Sequence, residues 1–488
     1  MDIILLFVAF VILLLFTLVL NKSLLIAAFV SLATVIMGII ISEGFSSFRI
    51  LRAGIHGTIV ALEISLLVLG ALTFFNYLKS AGFIQNLETS LKTFSTNKLM
   101  VVILLAFYFG GFIEGISGFG TPAMIVAPIL LGLRFPPYLA ASLSLLANTI
   151  PVVFGAVGTP IKIGFDDLPI TQVPQYTTLL LLLPTILMPF ALKRLLKLGG
   201  MITIYPETGK LNFVSLLAGI AFVVPFIVIS LYSVELPSIM AAIIGLLAWL
   251  QVLKNIGGSM PRVNSTLIKQ LFKTFKPYLL IALLLILGKT LLGSTKFSIL
   301  WPSIGLNKSI NVFQPGLVFF IGLLCIYLSN SKQGASIRPA FKASIQRLPT
   351  TFACIACLAI IASLLASNLQ MEELFATGFI PAAFAPSLAI ATGFLGSFIA
   401  GSATMSNLMF GAEWYNLGVN AGLNTSLLLA CQLAGSALGN ALSVQNIAMV
   451  QAVLNESGME RKILQTLWKP VLFFFLLLSL SAFIWGYL

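Results

Sequence analysis

The chain has 488 residues, of which 59% are hydrophobic and only 8% charged, with a mean hydropathy of +1.09. Too little charge is present to cover a soluble surface, so the chain takes the lipid bilayer as its solvent. Its formal net charge of +13 does not describe a nucleic-acid partner, because the basic residues sit between apolar runs rather than in a stripe interleaved with aromatics.

About twenty apolar residues cross the hydrocarbon core as a helix. That criterion predicts spans near 3–20, 24–42, 57–78, 174–192, 211–233, 237–253, 277–295, 312–329, 349–368 and 470–488. The first span follows Met1 and Asp2, without the basic n-region and small-residue cleavage site of a signal peptide, and reads as a retained helix. Two further regions, 99–161 and 385–447, are apolar yet broken repeatedly by Gly, Pro, Ser, Thr and Asn. Together these predict an all-α polytopic membrane protein of about 12–14 transmembrane helices. The expected divisions are 1–98, N-terminal transmembrane helices; 99–161, a first broken-helix repeat; 162–384, middle transmembrane helices; 385–447, a second broken-helix repeat; and 448–488, a cytoplasmic loop with the final transmembrane helix.

Basic residues concentrate in Lys193–Lys210, Lys254–Lys276, Lys332–Arg347 and Arg461–Lys469. Two apolar runs separate the first cluster from the second and two more separate the second from the third, so all three fall on one face, expected to be cytoplasmic. On that scheme the second repeat runs from outside, near Glu372 and Glu373, to inside. The first repeat ends outside, near Asp166 and Asp167. Placing the Lys79–Lys98 loop in the cytoplasm then gives the two repeats inverted topology. All four cysteines lie in apolar runs, where a thiol packs as a small hydrophobe; Cys354 and Cys357 have CxxC spacing but no βαβ context for redox chemistry.

The two broken regions resemble each other. Gly110, Phe112, Ile113 and Gly115 fall opposite Gly396, Phe398, Ile399 and Gly401 at a constant offset. After a two-residue slip, Leu143, Leu145, Gly155 and Thr159 fall opposite Leu427, Leu429, Gly439 and Ser443. Matched Gly- and Pro-interrupted segments in two halves of a membrane protein point to a transport site, since unpaired backbone at membrane depth is tolerable only where it meets protein or lines a cavity. Helix discontinuities are expected at Gly118–Pro122 and at Ala403–Asn407, with the two repeats packed together near the midplane.

Phe-Ile-Glu-Gly at 112–115, Gly-Phe-Gly-Thr-Pro at 118–122, Phe-Pro-Pro at 135–137, Ala-Asn-Thr-Ile-Pro-Val at 147–152 and Phe-Gly-Ala at 154–156 together resemble the first signature of bacterial lactate permeases. More diffuse similarity covers Tyr77–Asn97, Glu235-Leu236-Pro237 and Lys276-Pro277-Tyr278. In the second signature the family's Gly-Ser-Asp-Thr reads Gly401-Ser402-Ala403-Thr404 here. Its Gly-Lys and Ser-Pro-Gln become Gly439-Asn440 and Ser443-Val444-Gln445. An acidic residue and a Lys are thereby lost together. The resemblance implies a multi-pass protein of the bacterial inner (plasma) membrane that imports lactate, glycolate or a similar small monocarboxylate with a proton, without a cofactor.

Read as chemistry, a carboxylate needs donors in a low-dielectric site, and helix N-termini provide them. The candidate substrate-binding residues are Ser117, Gly118, Gly120, Thr121, Asn148 and Thr159 in the first repeat. Those in the second are Ser402, Thr404, Ser406, Asn407, Gln432, Asn440, Ser443 and Gln445. Glu114 is the candidate proton-coupling residue, because an ionised carboxylate inside a membrane is costly and by default functional; it is read as the only acidic residue inside either repeat's broken-helix core. A structural role, as a protonated Glu bonded to a carbonyl, is the plainer alternative. Glu63 and Lys289 are also intramembrane, the latter near a helix end where it can snorkel. The expected partners are a small organic anion, a proton and membrane lipid. A sodium-coupled carrier and a channel stay open. A membrane enzyme is disfavoured by the single His56 and the lack of GxSxG, HExxH or P-loop patterns.

Overall fold

In the computed structural model of the protein, the described residues are 24–43, 46–82, 97–118, 120–166, 168–202, 208–255, 295–301, 306–329, 336–346, 348–365, 382–454, 456 and 458–487, with isolated residues in 5–22 and 276–292. Lys289, Asp167, Glu372 and Glu373 fall outside them, as does about half of each of the predicted spans 3–20 and 277–295.

The elements in chain order are α1 (Leu24–Glu43), α2 (Ser47–Ser80), α3 (Lys98–Ser117), α4 (Thr121–Gly132), α5 (Pro137–Ala147), α6 (Gly155–Lys162), α7 (Val173–Leu180), α8 (Leu182–Leu198), α9 (Thr208–Ser230) and α10 (Pro237–Asn255). A hairpin follows, β1 (Lys296–Trp301) antiparallel to β2 (Leu306–Asn311), with Lys296 opposite Asn311. Then come α11 (Pro315–Ser329), α12 (Ile337–Ile345), α13 (Leu348–Leu365), α14 (Ala385–Ala400), α15 (Ala403–Asn420), α16 (Thr425–Leu442), α17 (Val444–Leu454) and α18 (Glu460–Tyr487). Among the described residues, seven helices are long and apolar enough to cross a membrane. The number is nine if two bent pairs, Pro137–Ala147 with Pro151–Lys162 at 54° and α7 with α8 at 42°, each count as one span.

Hydropathy and structure differ mainly at helix ends. α2 begins at Ser47, ten residues before the predicted span, because Ser46 caps it by accepting from the Arg49 N–H and because Arg49 itself donates to the Leu364 carbonyl. α18 likewise begins at Glu460 and carries Lys462 and Lys469 in its first turns. Charged turns outside the hydrocarbon continue a helix without registering in a hydropathy window. The predicted span 174–192 is bent at Leu181.

The chain divides into two compact units, one of Met1–Leu87 with Lys269–Met371 and one of Glu88–Ile268 with Glu372–Leu488. In the first, α2 packs against α11, α12 and α13, and the half-buried Glu63 accepts from Gln314 at 3.5 Å. Both broken regions belong to the second. There α3 is buried throughout and carries a π-helical stretch, Ile103–Phe109. Its Phe107 and Tyr108 stack on Phe222 and Trp249 of α9 and α10, and Tyr108 donates to the Ala218 carbonyl at 2.9 Å.

The closest helix crossing joins α14 to α16. A Cβ added at Gly393 would lie 2.0 Å from the Gln432 carbonyl oxygen, and one at Gly435 or Gly439 would lie 2.0 Å from the Ile390 or Phe394 oxygen. Gly435 and Gly439 form a small-xxx-small pair, which lets backbones approach where lipid supplies no hydrophobic drive. Gly439→Leu is therefore expected to destabilise the protein by at least ~2 kcal/mol, read as a lowered Tm in detergent. Gly54→Ala, where a Cβ meets nothing within 4 Å, is the neutral control. A wild-type Tm for Gly439→Leu would refute the close crossing.

Candidate functional site

Both repeats show the same order of parts: helix, break, helix, helix, break, helix. In the first, α3 ends at Ser117, Gly118 and Gly120 take φ values of +59° and +72°, and α4 restarts at Thr121 with Pro122 in its first turn. Glycine is required at both positions because a side chain resists this conformation. The Thr121 hydroxyl donates to the Gly118 carbonyl at 2.8 Å, and Ser117 donates to Ile113 and contacts Thr121. These hydroxyls therefore close the break itself.

The second break of the first repeat is sharper. Ala156, Val157 and Gly158 have successive φ values of +44°, +59° and +77°, and a β-branched residue there is strained. Thr159 donates to the Ala156 carbonyl. The turn is clamped by the stretch before α10 and by the first turn of α10: Gly158 lies against Val234, Ser238 donates to the Pro151 carbonyl at 2.7 Å, and Lys162 pairs with Glu235 at 3.1 Å, which Ser233 also bonds.

In the second repeat α14 ends at Gly401, φ +65°, and Ser402 caps α15 by accepting from the Met405 N–H. The discontinuity thus lies at Gly401–Ser402, ahead of the predicted Ala403–Asn407, which forms the first turn of a continuous helix. Gly401 stands opposite Gly115 in the sequence alignment, yet Gly115 is inside α3, packed against Ile239; its structural counterpart is the Gly118–Gly120 turn. The other break is at Ser443, whose hydroxyl accepts from the Asn446 N–H.

The breaks cross over between repeats: α4 packs on α17, and α6 on α15. Asn407 of α15 donates to the Pro160 carbonyl of α6 at 2.8 Å. Gly120 faces Asn446 of α17, and Gly118 faces Ala156.

Between these elements lies a narrow cavity of about 20 Å³, room for about one water molecule. Of the predicted residues, Glu114, Gly118, Gly120, Ser402, Thr404 and Asn440 line it, with Ala403, Gly155, Ala156 and Pro160. Ala403 and Asn440, the positions at which the sequence resemblance implies an Asp and a Lys, both line it. Among the described residues, no Lys or Arg lines the cavity. Glu114 is 1% exposed. Its hydrogen-bond partner is the Asn148 side chain, and its Oε2 has no partner among the described residues. A Cβ on Gly155 would lie 2.5 Å from its Oε1, so Gly155 makes room for the carboxyl.

Other predicted residues stand behind that lining. Ser406 donates to the Gly393 carbonyl, and Gln432 reaches Ser406 while accepting from Thr392, which ties α14, α15 and α16 together. Gln445 is exposed, beside Gly401. Two residues were not anticipated. Asn446 is 2% exposed and donates to the Gly401 carbonyl and to Asn440; its position three residues past Ser443 was the available signal. Glu413 of α15 is 2% exposed, a second buried acidic residue in the repeats that does not line the cavity.

The family model for L-lactate permease matches residues 2–298 and 303–488. A Haemophilus influenzae protein that carries the L-lactate permease name provisionally is 28% identical, the alignment covering 92% of each chain. The L-lactate permease of Bacillus subtilis is 26% identical, covering 87% of this chain and 84% of the relative. The glycolate permease GlcA of Escherichia coli is 24% identical, covering 88% and 86%. Among solved structures, the Alcanivorax borkumensis YdaH transporter aligns over 91% of this chain and 89% of its own with 12% identity and a TM-score of 0.44.

The cross-repeat bond gives a direct test. Asn407→Ala removes the donor to the Pro160 carbonyl inside the membrane, so it should cost about 1–3 kcal/mol and lower the Tm. Gln445→Ala, at an exposed position, should leave the Tm unchanged. Equal Tm values for both variants and the wild type would contradict this role for Asn407.

Proposed function

This chain belongs to the L-lactate permease family and is a multi-pass membrane protein, and from that premise we propose that it is a secondary active carrier importing lactate, glycolate or a similar small monocarboxylate by proton symport. The observation that carries the reading is the convergence of a buried carboxyl, Glu114, with two glycine-broken helices on one cavity.

In this mechanism the substrate carboxylate sits at the N-terminus of α15. First-turn N–H groups there have no helical partner, and Ser402, Thr404 and Asn440 add neutral donors. A helix N-terminus favours an anion without a neighbouring cation, which suits a cavity whose described lining residues include none. Glu114 and the substrate are both anionic when ionised, so proximity favours a state in which one of them carries a proton. A proton bound on Glu114 therefore favours anion binding, and its release favours anion release. That coupling is the requirement of a symporter. Asn148 orients the carboxyl, and the open Oε2 is where the proton arrives and leaves.

Two outcomes check this reading in proteoliposomes with a panel of labelled acids. Glu114→Gln imitates a permanently protonated side chain, so it should bind and exchange lactate or glycolate across the membrane but accumulate neither when a pH gradient is imposed. Full pH-driven accumulation by that variant would exclude Glu114 as the proton carrier. If imposed sodium gradients drive uptake and pH gradients do not, the carrier is sodium-coupled instead. Separately, Lys162→Gln should retain substrate affinity within about three-fold, since Lys162 pairs with Glu235 and is absent from the cavity lining; loss of binding in a folded variant would mean that a cation neutralises the anion.

A further inference from the structure

A second, larger cavity of about 540 Å³ opens in the same unit, away from the helix breaks, between α8 and α18 with Tyr138 of α5 at its side. Its walls are graded. On α8, Leu187, Phe190 and Arg194 succeed one another toward the C-terminal end, and on α18, Lys462, Lys469 and Phe473 succeed one another inward from the N-terminal end. Spacings of three, four and seven residues put each set on one helix face. The charged residues therefore gather at the helix ends and the apolar ones farther along the spans.

Three cations, Arg194, Lys462 and Lys469, line this groove, all exposed, and no Asp or Glu is among its described lining residues. Lys462 Nζ lies 3.8 Å from the Tyr138 ring centroid, and Lys469 Nζ lies 5.5 Å from that of Trp468, itself 48% exposed. An exposed Trp beside snorkelling lysines marks the level of lipid headgroups. Below it Phe473 is 53% exposed. The cations come from the two basic segments, Lys193–Lys210 and Arg461–Lys469, that charge counting assigns to one membrane face.

We propose that this groove is a binding site for an anionic phospholipid, with the phosphate among Arg194, Lys462 and Lys469 and an acyl chain along Leu187, Phe190 and Phe473. Basic pockets between membrane helices suit such headgroups. A free anion would leave the apolar floor uncovered, and a zwitterionic lipid would leave the three positive charges uncompensated.

Thermal unfolding of the purified full chain in detergent tests this, because a ligand that binds only the folded state raises the Tm by an amount that grows with its concentration relative to Kd. Titrated phosphatidylglycerol should raise the Tm progressively with its concentration, whereas phosphatidylcholine and inorganic phosphate should not. Arg194→Gln/Lys462→Gln/Lys469→Gln should weaken the phosphatidylglycerol response at least ten-fold, and Lys469→Gln alone about five-fold. Lys462→Arg/Lys469→Arg should preserve it, as should Arg338→Gln/Lys342→Gln on the surface of the other unit. An equal response to phosphatidylcholine, a response to inorganic phosphate alone, or an undiminished response in the triple variant or in Lys469→Gln would each overturn the proposal.

Discussion

A backbone carbonyl or N–H at membrane depth has no water to turn to, and each one left unmatched costs several kcal/mol. The site-bearing unit contains four helix pairs that stop and restart, two in each repeat, so it exposes more such groups than a plain bundle. Side chains match many of them. The Thr121 hydroxyl takes up the Gly118 carbonyl, the Asn446 amide that of Gly401, and the Asn407 amide that of Pro160. The last bond joins the two repeats, which is why neither can be described as a self-contained half.

Close approach makes this matching possible. Gly393, Gly435 and Gly439 let α14 and α16 touch backbone to backbone, which brings Gln432 within reach of Ser406 and Thr392. On the opposite side, Val234, just before α10, lies against Gly158, and Ser238, in the first turn of α10, holds the Pro151 carbonyl. Two non-glycine residues stay in the left-handed region because their surroundings over-determine them. Placement of Glu114 follows from the same packing, since Gly155 leaves the carboxyl its room.

Much of this was legible in the residues. Gly118 and Gly120 announce a break because each stands in a small-residue run ending at a proline, and the fold class follows from apolar run lengths. Residues such as Glu114, Ser402, Thr404 and Asn440 reached the cavity as their types suggested. What escaped had physical causes. Matching Gly115 with Gly401 was plausible because both are glycines in similar strings, but one serves helix packing and the other a turn, a difference carried by Ile239 more than a hundred residues away. Asn407 and Gln432 have the donors of a binding residue, yet they spend them on Pro160 and Ser406. Glu413 lay unremarked in a polar-looking stretch because its burial depends on tertiary packing. The early starts of α2 and α18 are invisible to hydropathy for the opposite reason: those turns are charged.

The crossed pairing of α4 with α17 and of α6 with α15 also sets an order of assembly. The first repeat is complete once Lys162 has been made, but the residues that cover its breaks, Asn407 and Asn446, are encoded roughly 240 residues or more later, which at ~5–20 residues per second is a wait of some tens of seconds. Throughout that interval the Pro160 carbonyl lacks its partner amide and Glu114 lacks its finished enclosure. A nascent chain in that condition cannot settle fully among lipid tails, so its opened helices have to remain beside the insertion machinery or in an aqueous vestibule until the second half arrives. Truncation anywhere between the repeats would thus yield a membrane-inserted fragment that quality-control proteases recognise, and the spacing that builds one cavity from two distant stretches also governs how long the unfinished protein needs a chaperoned environment.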